Sequence, residues 1–222
     1  MSTTLQRIGG ALALLTIAFA ILLQGKPYFT NAARPARGIP SPGVALQMAR
    51  NLDEVDDVLG DAPSPDREVM RVKQYIDFGF IASYTALFLV LAWMLSRQGG
   101  WARVAGTAAI ICALATAFFD VTENIAILRI LDVPLRRTTP AMINAIRSAS
   151  AAKWALSAVT LGLISVLFWR QPAWFARVIG ASMLLSAALI FYGFADNRFF
   201  VYQGYPAFIA LAGIVVTFFR LR

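Results

Sequence analysis

The chain contains no histidine and only one cysteine among its 222 residues. The absence of histidine excludes a histidine ligand to haem or zinc, and it excludes a serine or cysteine nucleophile that is activated by histidine. The lone Cys112 lies within an apolar run, so it cannot form an intrachain disulfide, and its simplest role is that of a small packing residue. We therefore expect no metal site and no cofactor.

Charged residues are also scarce, because they make up 14% of the chain against 59% for hydrophobic residues. Soluble domains contain about 25% charged residues. The apolar residues are concentrated in runs close to the ~20 residues that cross a bilayer core. The sequence predicts an all-α, polytopic transmembrane helical bundle of about six spans, forming a single membrane domain over residues 1–222. The six runs are Ile8–Leu23, Tyr75–Ser96, Val104–Leu128, Lys153–Trp169, Trp174–Ala195 and Tyr205–Phe219.

The formal net charge of +8 does not indicate nucleic-acid binding, since most basic residues flank the apolar runs. The short connections 96–103 and 169–177 carry only positive charge, whereas 24–74, 129–152 and 196–200 contain almost all of the acidic residues. Short basic loops remain in the cytoplasm. We therefore predict a bacterial inner (plasma) membrane protein with cytoplasmic N- and C-termini and the acidic connections outside. The tryptophans near the span ends, Trp154 included, are expected to anchor the membrane interface.

The extracytoplasmic segment 24–74 is expected to contain a surface helix. After a Pro/Gly-rich strip, apolar residues recur at spacings of three and four over residues 44–59, while the acidic residues there lie mostly off that stripe. This pattern predicts an amphipathic helix that covers the bundle. Ser64-Pro65 and Thr139-Pro140 are typical helix starts. They predict helices that continue without a break into the second and fourth spans.

Ionisable residues inside the spans mark the candidate site. The third span has a small and polar face, whose opposite side is bulky and apolar, so we expect the polar face to point into the bundle. It comprises Ala109, Ala113, Thr116, Asp120, Glu123 and Asn124. Asp77 and Tyr84 share a face of the second span, and Lys153 and Ser157 share one of the fourth. The topology predicts that these charged groups meet at one depth, close to the external surface.

Two interpretations of this convergence remain open. A charge at the centre of a spanning helix costs ~2.5–3.5 kcal/mol on insertion scales, so the carboxylates need compensation. One interpretation is an ion-pair knot in which Asp77, Asp120 and Glu123 pair with Lys153 and pin spans two, three and four together. The other is a pocket, favoured by the surplus of carboxylates over lysine. Its predicted ligand-binding residues are Asp77, Tyr84, Asp120, Glu123, Asn124, Lys153 and Ser157.

Three short motifs resemble a family of uncharacterised bacterial multi-pass inner-membrane proteins. They are YIDF at 75–78, DVTEN at 120–124 and AAKWAL at 151–156. The resemblance extends over about residues 40–170 and brings no activity with it. It implies only that Asp77, Asp120, Glu123, Asn124 and Lys153 belong to one constellation.

Three functions follow from these patterns. The first is binding or transport of a polar or lipid-like ligand in an outward-facing pocket. The second is an accessory subunit of a larger membrane complex, in which the charges form the knot. The third is an intramembrane enzyme that acts on lipid headgroups through an Asp/Glu pair, which is less favoured because no nucleophile motif or phosphate loop is visible. The expected partners are membrane lipids, together with a second copy of the chain or a partner in a membrane complex, and no nucleic acid.

Overall fold

The computed structural model describes residues 3–30 and 38–220, and no strand occurs among them. Residues 31–37 of the predicted segment 24–74 lie outside the described residues. The described helices are α1 (Thr3–Gln24), α2 (Pro42–Gln47), α3 (Leu52–Leu59), α4 (Pro65–Ser96), α5 (Trp101–Leu131), α6 (Pro140–Trp169), α7 (Trp174–Ala195), α8 (Phe199–Tyr202) and α9 (Gly204–Arg220), with a 3₁₀ turn at Leu135–Arg137. Six elements are long and apolar enough to cross a membrane: α1, α4, α5, α6, α7 and the pair α8–α9. The predicted helical bundle is confirmed.

The six spanning elements close into a ring. Each packs against two neighbours, in the order α1, α4, α5, α6, α7, α9 and back to α1. Because the chain reverses direction at every connection, neighbouring helices are antiparallel all the way round. A closed ring of helices encloses an interior that every span can reach.

The two ends of the ring differ. One end, which we call the long-loop end, carries the connections 25–64, 132–139 and 196–198, whereas the short-loop end carries 97–100 and 170–173. Exposed tryptophan side chains gather near the short-loop end, as in an interfacial aromatic belt. They are Trp93, Trp101, Trp169 and Trp174.

The two predicted helix starts are confirmed. The Ser64 hydroxyl accepts a hydrogen bond from the backbone N–H of Asp66 at 3.3 Å, and the Thr139 hydroxyl accepts one from Met142 at 3.3 Å. A proline follows each cap at the position where its missing N–H is not needed. Helices α4 and α6 then run unbroken for 32 and 30 residues, from the long-loop end through the bundle.

The segment 44–59 forms two helices, α2 and α3, instead of one. Asn51 interrupts the periodic pattern because its side chain accepts a hydrogen bond from Glu54 N at 2.9 Å, while the Glu54 carboxylate accepts one from Arg50 N at 2.8 Å. This reciprocal cap starts a new helix. The predicted stripe is buried at Ala45, Met48, Val55 and Leu59 but exposed at Leu52, and Asp53, Asp56 and Asp57 point outward.

The sixth span begins earlier than its apolar run, at Phe199, and is broken at Gln203. Pro206 has no backbone N–H with which to bond the carbonyl of Tyr202, so the helix cannot pass this point regularly. The Ser186 hydroxyl of α7 donates at 2.8 Å to the carbonyl of Gln203, which also accepts from the backbone N–H of Ala207 at 3.3 Å. The break is thus held in place by a neighbouring helix.

Candidate functional site

Helices α4 and α5 approach closely, which brings their polar residues within reach of one another. A Cβ atom at Gly106 would lie 2.9 Å from the carbonyl oxygen of Ala92 and 2.5 Å from Cβ of Ser96. Only glycine fits this contact without displacing α4. The close packing at the short-loop end sets the register in which Asp77 and Tyr84 face α5.

The predicted inward face of α5 is confirmed. Its small and polar residues, Ala109, Ala113, Thr116, Asp120, Glu123 and Asn124, are all buried. Leu114, Phe118 and Ile125 on the other side are exposed to the surroundings of the bundle. The helical period alone was enough to orient the carboxylates inward.

Lys153 joins α6 to both carboxylates of α5. Its ammonium lies 2.7 Å from Asp120 Oδ1 and 2.8 Å from Glu123 Oε1, and all three side chains are buried. Tyr84 of α4 donates its hydroxyl to the other oxygen of Asp120 at 2.8 Å. Three helices are therefore connected through one buried network. This part of the site is the ion-pair knot that the sequence suggested.

Asp77 is not part of the ion-pair knot. The side-chain amide of Asn124 donates to Asp77 Oδ2 at 2.8 Å, but no lysine or arginine of the described residues forms an ion pair with this carboxylate. The knot as predicted included Asp77, so this detail was wrong. The Asp77 side chain is held in place by the Asn124 amide and forms no ion pair among the described residues.

A cavity of about 600 Å³ opens beside Asp77. All six spans contribute to its wall, together with parts of the connection 27–47. Of the seven predicted ligand-binding residues, five line the cavity: Asp77, Tyr84, Asp120, Lys153 and Ser157. Glu123 and Asn124 are not among the described lining residues. They lie behind Lys153, Asp120 and Asp77 and hold those side chains in position.

The cavity wall changes character along its depth. Near the long-loop end it presents Lys73, Gln74, Asp77, Asp120 and Lys153, and further in it presents Phe88, Leu161, Met183, Ala210 and Leu211. Along α4, Lys73 and Phe88 are fifteen residues apart, which corresponds to ~22 Å at 1.5 Å per residue. The charged side chains of the lining therefore lie near the long-loop end, where Leu23, Phe29, Val44 and Met70 also line the cavity, and the deeper wall is apolar.

Gln47 and Trp154 belong to the site, although the sequence did not indicate them. Gln47 Nε2 donates to Glu123 Oε1 at 2.8 Å, and the Trp154 indole donates to Gln47 Oε1 at 3.1 Å. These bonds fasten α2 over the cluster. Trp154 packs against Phe200 with ring centroids 5.2 Å apart, so it is a cavity residue and not the interfacial anchor that was predicted. No periodic signal identifies Gln47, because its partners lie on other helices.

Lys73 was also missed, although it lies one helical turn from Asp77 on the same face of α4. It lines the cavity near the long-loop end, and its ammonium donates to the carbonyl of Gly25 at the end of α1. Among the described residues it forms no ion pair with Asp77. The sequence signal that could have identified Lys73 is its spacing of four residues from Asp77, which places both on one face of α4.

Three buried oxygens around the cluster have no hydrogen-bond partner: Gln74 Oε1, Glu123 Oε2 and Asn124 Oδ1. The hydroxyl of Ser150, beside Glu123, donates instead to the carbonyl of Ile146 at 2.8 Å. A buried acceptor without a donor costs ~1–3 kcal/mol. Of these three residues only Gln74 is among the described cavity-lining residues, and its unmatched oxygen is an acceptor that needs a hydrogen-bond donor.

The rim of the long-loop end is tied down by Asp61 and Arg67. Asp61 accepts hydrogen bonds from the backbone N–H groups of Leu135 at 2.7 Å and Ala62 at 2.8 Å, and these bonds hold the pKa of its carboxyl below the usual 3.8. Arg67 donates to the carbonyls of Gly60, Ile130 and Val133 at 2.8–3.0 Å. The end of α5 is thus fixed to the start of α4.

Six apolar spans closed around a polar interior define the chain as a multi-pass α-helical membrane protein. No known protein family, curated protein or solved structure matches it. The resemblance of the YIDF, DVTEN and AAKWAL motifs is therefore not supported by a family match. The function is inferred from the geometry of the site.

Proposed function

We propose that the protein binds or transports an amphiphile in the cavity enclosed by its six spans. In this proposal it is a bacterial inner-membrane protein with cytoplasmic termini, the long-loop end faces outside, and the ligand enters the cavity from that end. The polar end of the ligand contacts Asp77, Asp120 and Lys153, and its apolar part extends past Ser157 towards the base of the cavity.

The observation that carries this proposal is the two-zone lining of the cavity. A volume of about 600 Å³ lies within the ~300–1,000 Å³ typical of small-molecule sites. Charged side chains at one end and aliphatic and aromatic side chains at the other match a molecule with a head and a tail. A purely structural ion-pair knot does not require a cavity beside it.

The knot and the pocket serve the same site in this arrangement. Lys153, Asp120 and Tyr84 form a rigid wall because each is held by partners on another helix. A preorganised polar wall lowers the cost of ordering groups when a ligand binds. Glu123, Asn124 and Gln47 hold the wall from behind.

The test compares a tryptophan introduced inside the cavity with a control tryptophan introduced on the outer surface of the same helix. Ala207 lines the cavity on α9, whereas Ile209, two residues further along, is 55% exposed on the outer side of the helix. Protein in phosphatidylcholine nanodiscs is titrated with single-chain C12 probes: dodecylamine, dodecyltrimethylammonium, dodecyl maltoside and dodecyl sulfate. Stoichiometry is read by native mass spectrometry, and stabilisation by the thermal unfolding midpoint, Tm.

We expect at least one probe to bind wild-type protein and Ile209→Trp saturably, at one molecule per chain, and to raise Tm. Ala207→Trp should lose both effects because the indole occupies the cavity. Binding that is equal in Ala207→Trp and wild type would show that the probes dissolve in the bilayer or bind elsewhere, and the proposal would then be wrong. So would the absence of saturable binding by every probe.

A further inference from the structure

Asp77 is the one carboxylate of the cluster that reaches the cavity without a cationic partner among the described residues. Asp120 and Glu123 share the ammonium of Lys153, and Lys73 turns its ammonium away to Gly25. The only described side-chain partner of Asp77 is the amide of Asn124, which donates to Oδ2. A carboxylate has acceptor sites for several donors, so Asp77 can accept more.

Gln74 adds a second acceptor beside it. The side chain lines the cavity and is only 7% exposed, and its amide oxygen has no partner. Its amide nitrogen is directed to the sulfur of Met70 at 3.5 Å, within the same helix. Residues three apart lie on one helical face, so Gln74 and Asp77 lie on the same side of α4, and both line the cavity.

The charge of the cluster favours a cation. Asp77, Asp120 and Glu123 supply three carboxyl groups to the cluster, against the single ammonium of Lys153. An anionic head placed at Asp77 would meet this carboxylate and the unmatched oxygen of Gln74. Lys73 and Lys153 also line the cavity, but their ammonium groups already bond to Gly25 and to Asp120 and Glu123. A primary ammonium carries three N–H donors and one positive charge, which match the carboxylate of Asp77 and the unmatched oxygen of Gln74.

We propose that the polar end of the ligand is a primary ammonium, which donates to the Asp77 carboxylate and to Gln74 Oε1. The inference rests on the proposed amphiphile-binding function and specifies its head group. The apolar part of the ligand then lies against Phe88, Leu161 and Leu211 deeper in the cavity. A free long-chain amine and the headgroup of an ethanolamine lipid offer this same chemistry.

The experiment compares heads that differ only in their N–H donors. Dodecylamine is paired with dodecyltrimethylammonium, and lysophosphatidylethanolamine is paired with lysophosphatidylcholine of the same C12 chain. In each pair the second member keeps the positive charge and loses the N–H donors. Affinities are measured in phosphatidylcholine nanodiscs by native mass spectrometry. We expect at least one primary amine to bind wild-type protein ten times more tightly than its methylated partner and than dodecyl maltoside or dodecyl sulfate.

The two pairs also distinguish the source of the ammonium. Preference in the dodecylamine pair alone identifies a free alkylamine site. Preference in the lysophospholipid pair alone identifies an aminolipid headgroup site. Preference in both pairs shows that the site recognises the ammonium regardless of the rest of the head.

Two variants locate the site. Asp77→Asn should weaken primary-amine binding at least tenfold, and Gln74→Met, which keeps the shape but removes the acceptor, should reduce the preference over the methylated partner. Asp53→Asn, on the exposed side of α3, removes one negative charge from the long-loop end and should change neither. Because Gln74 forms no ion pair among the described residues, its variant tests the proposal even where Asp77→Asn does not fold.

The proposal is overturned if the maltoside or the sulfate binds most tightly to wild-type protein and is lost in Ala207→Trp. In that case the cavity binds amphiphiles and only the head group is wrong. It is also overturned if Gln74→Met keeps the full preference for primary amines and a folded Asp77→Asn keeps wild-type affinity. Absence of saturable binding by any probe rejects the proposed function itself.

Discussion

Lys153 Nζ lies 2.7 Å from Asp120 Oδ1 in the buried contact between α5 and α6. Glu123 shares the same ammonium, so removing Lys153 would leave two carboxylates buried without a cation. Breaking a buried pair in this way costs ~3–5 kcal/mol. The site residues therefore also determine whether the bundle holds together.

The first prediction concerns this lysine. Lys153→Met should lower Tm strongly, corresponding to ~3–5 kcal/mol of unfolding free energy. The matched control is Arg198→Met, which breaks the exposed pair with Asp196 and should leave Tm almost unchanged because water solvates both partners. Equal Tm values for the two variants would contradict the buried network.

A second prediction tests the link from α4. Tyr84→Phe removes the hydrogen bond to Asp120 while keeping the ring, and it should destabilise the protein by ~1.5–3 kcal/mol, the range for bonds to charged groups. Tyr192→Phe, whose ring is exposed, serves as the control. In a double-mutant cycle with Asp120→Asn, the two effects should be strongly non-additive. Additive effects would mean that Tyr84 acts only through packing.

A third prediction concerns helix packing. Gly106→Ala places a methyl group 2.9 Å from the carbonyl of Ala92, and overpacking of this kind costs ~1–3 kcal/mol. Gly162→Ala on α6 meets no atom within 4 Å, so the higher helix propensity of alanine should leave Tm equal or higher. A Tm for Gly106→Ala at or above that of wild type would show that α4 and α5 are not in close contact.

A fourth prediction uses acid. The backbone hydrogen bonds from Leu135 and Ala62 lower the pKa of Asp61 below 3.8. A carboxyl whose pKa is lower in the folded state stabilises the protein above the unfolded value, and the contribution is lost as the pH falls through the folded value. Wild-type Tm should therefore exceed that of Asp61→Asn at pH 6, and the difference should shrink below about pH 4.

The control for this experiment is Asp53→Asn, because the carboxylate of Asp53 is exposed on α3 and receives no backbone bond from the 3₁₀ turn. At pH 6 the Tm of Asp53→Asn should differ from wild type by less than the Tm of Asp61→Asn. A Tm difference for Asp61→Asn that does not shrink on acidification would show that the bond to Leu135 does not contribute to stability.

Local features of the structure were largely predictable. The spans follow from the lengths of the apolar runs, the starts of α4 and α6 from Ser-Pro and Thr-Pro pairs, and the inward face of α5 from its period. The error at 44–59 came from reading periodicity alone, since the cap at Asn51 competes with helix continuation. The sixth span was predicted to start at Tyr205 and not at Phe199 because the prediction used only the apolar run.

The sequence by itself determined that the chain is a bundle of membrane-spanning helices with carboxylates turned inward, because helix length and period are local properties of the backbone. Only the tertiary structure decided which carboxylates share Lys153 and which one faces a cavity. That division depends on which helices are neighbours in the ring. The same holds for Gln47, which bonds to Glu123 across 76 positions of the chain. It also holds for Gln74, because only the folded bundle shows that its side chain, with an unpartnered oxygen, lines a cavity.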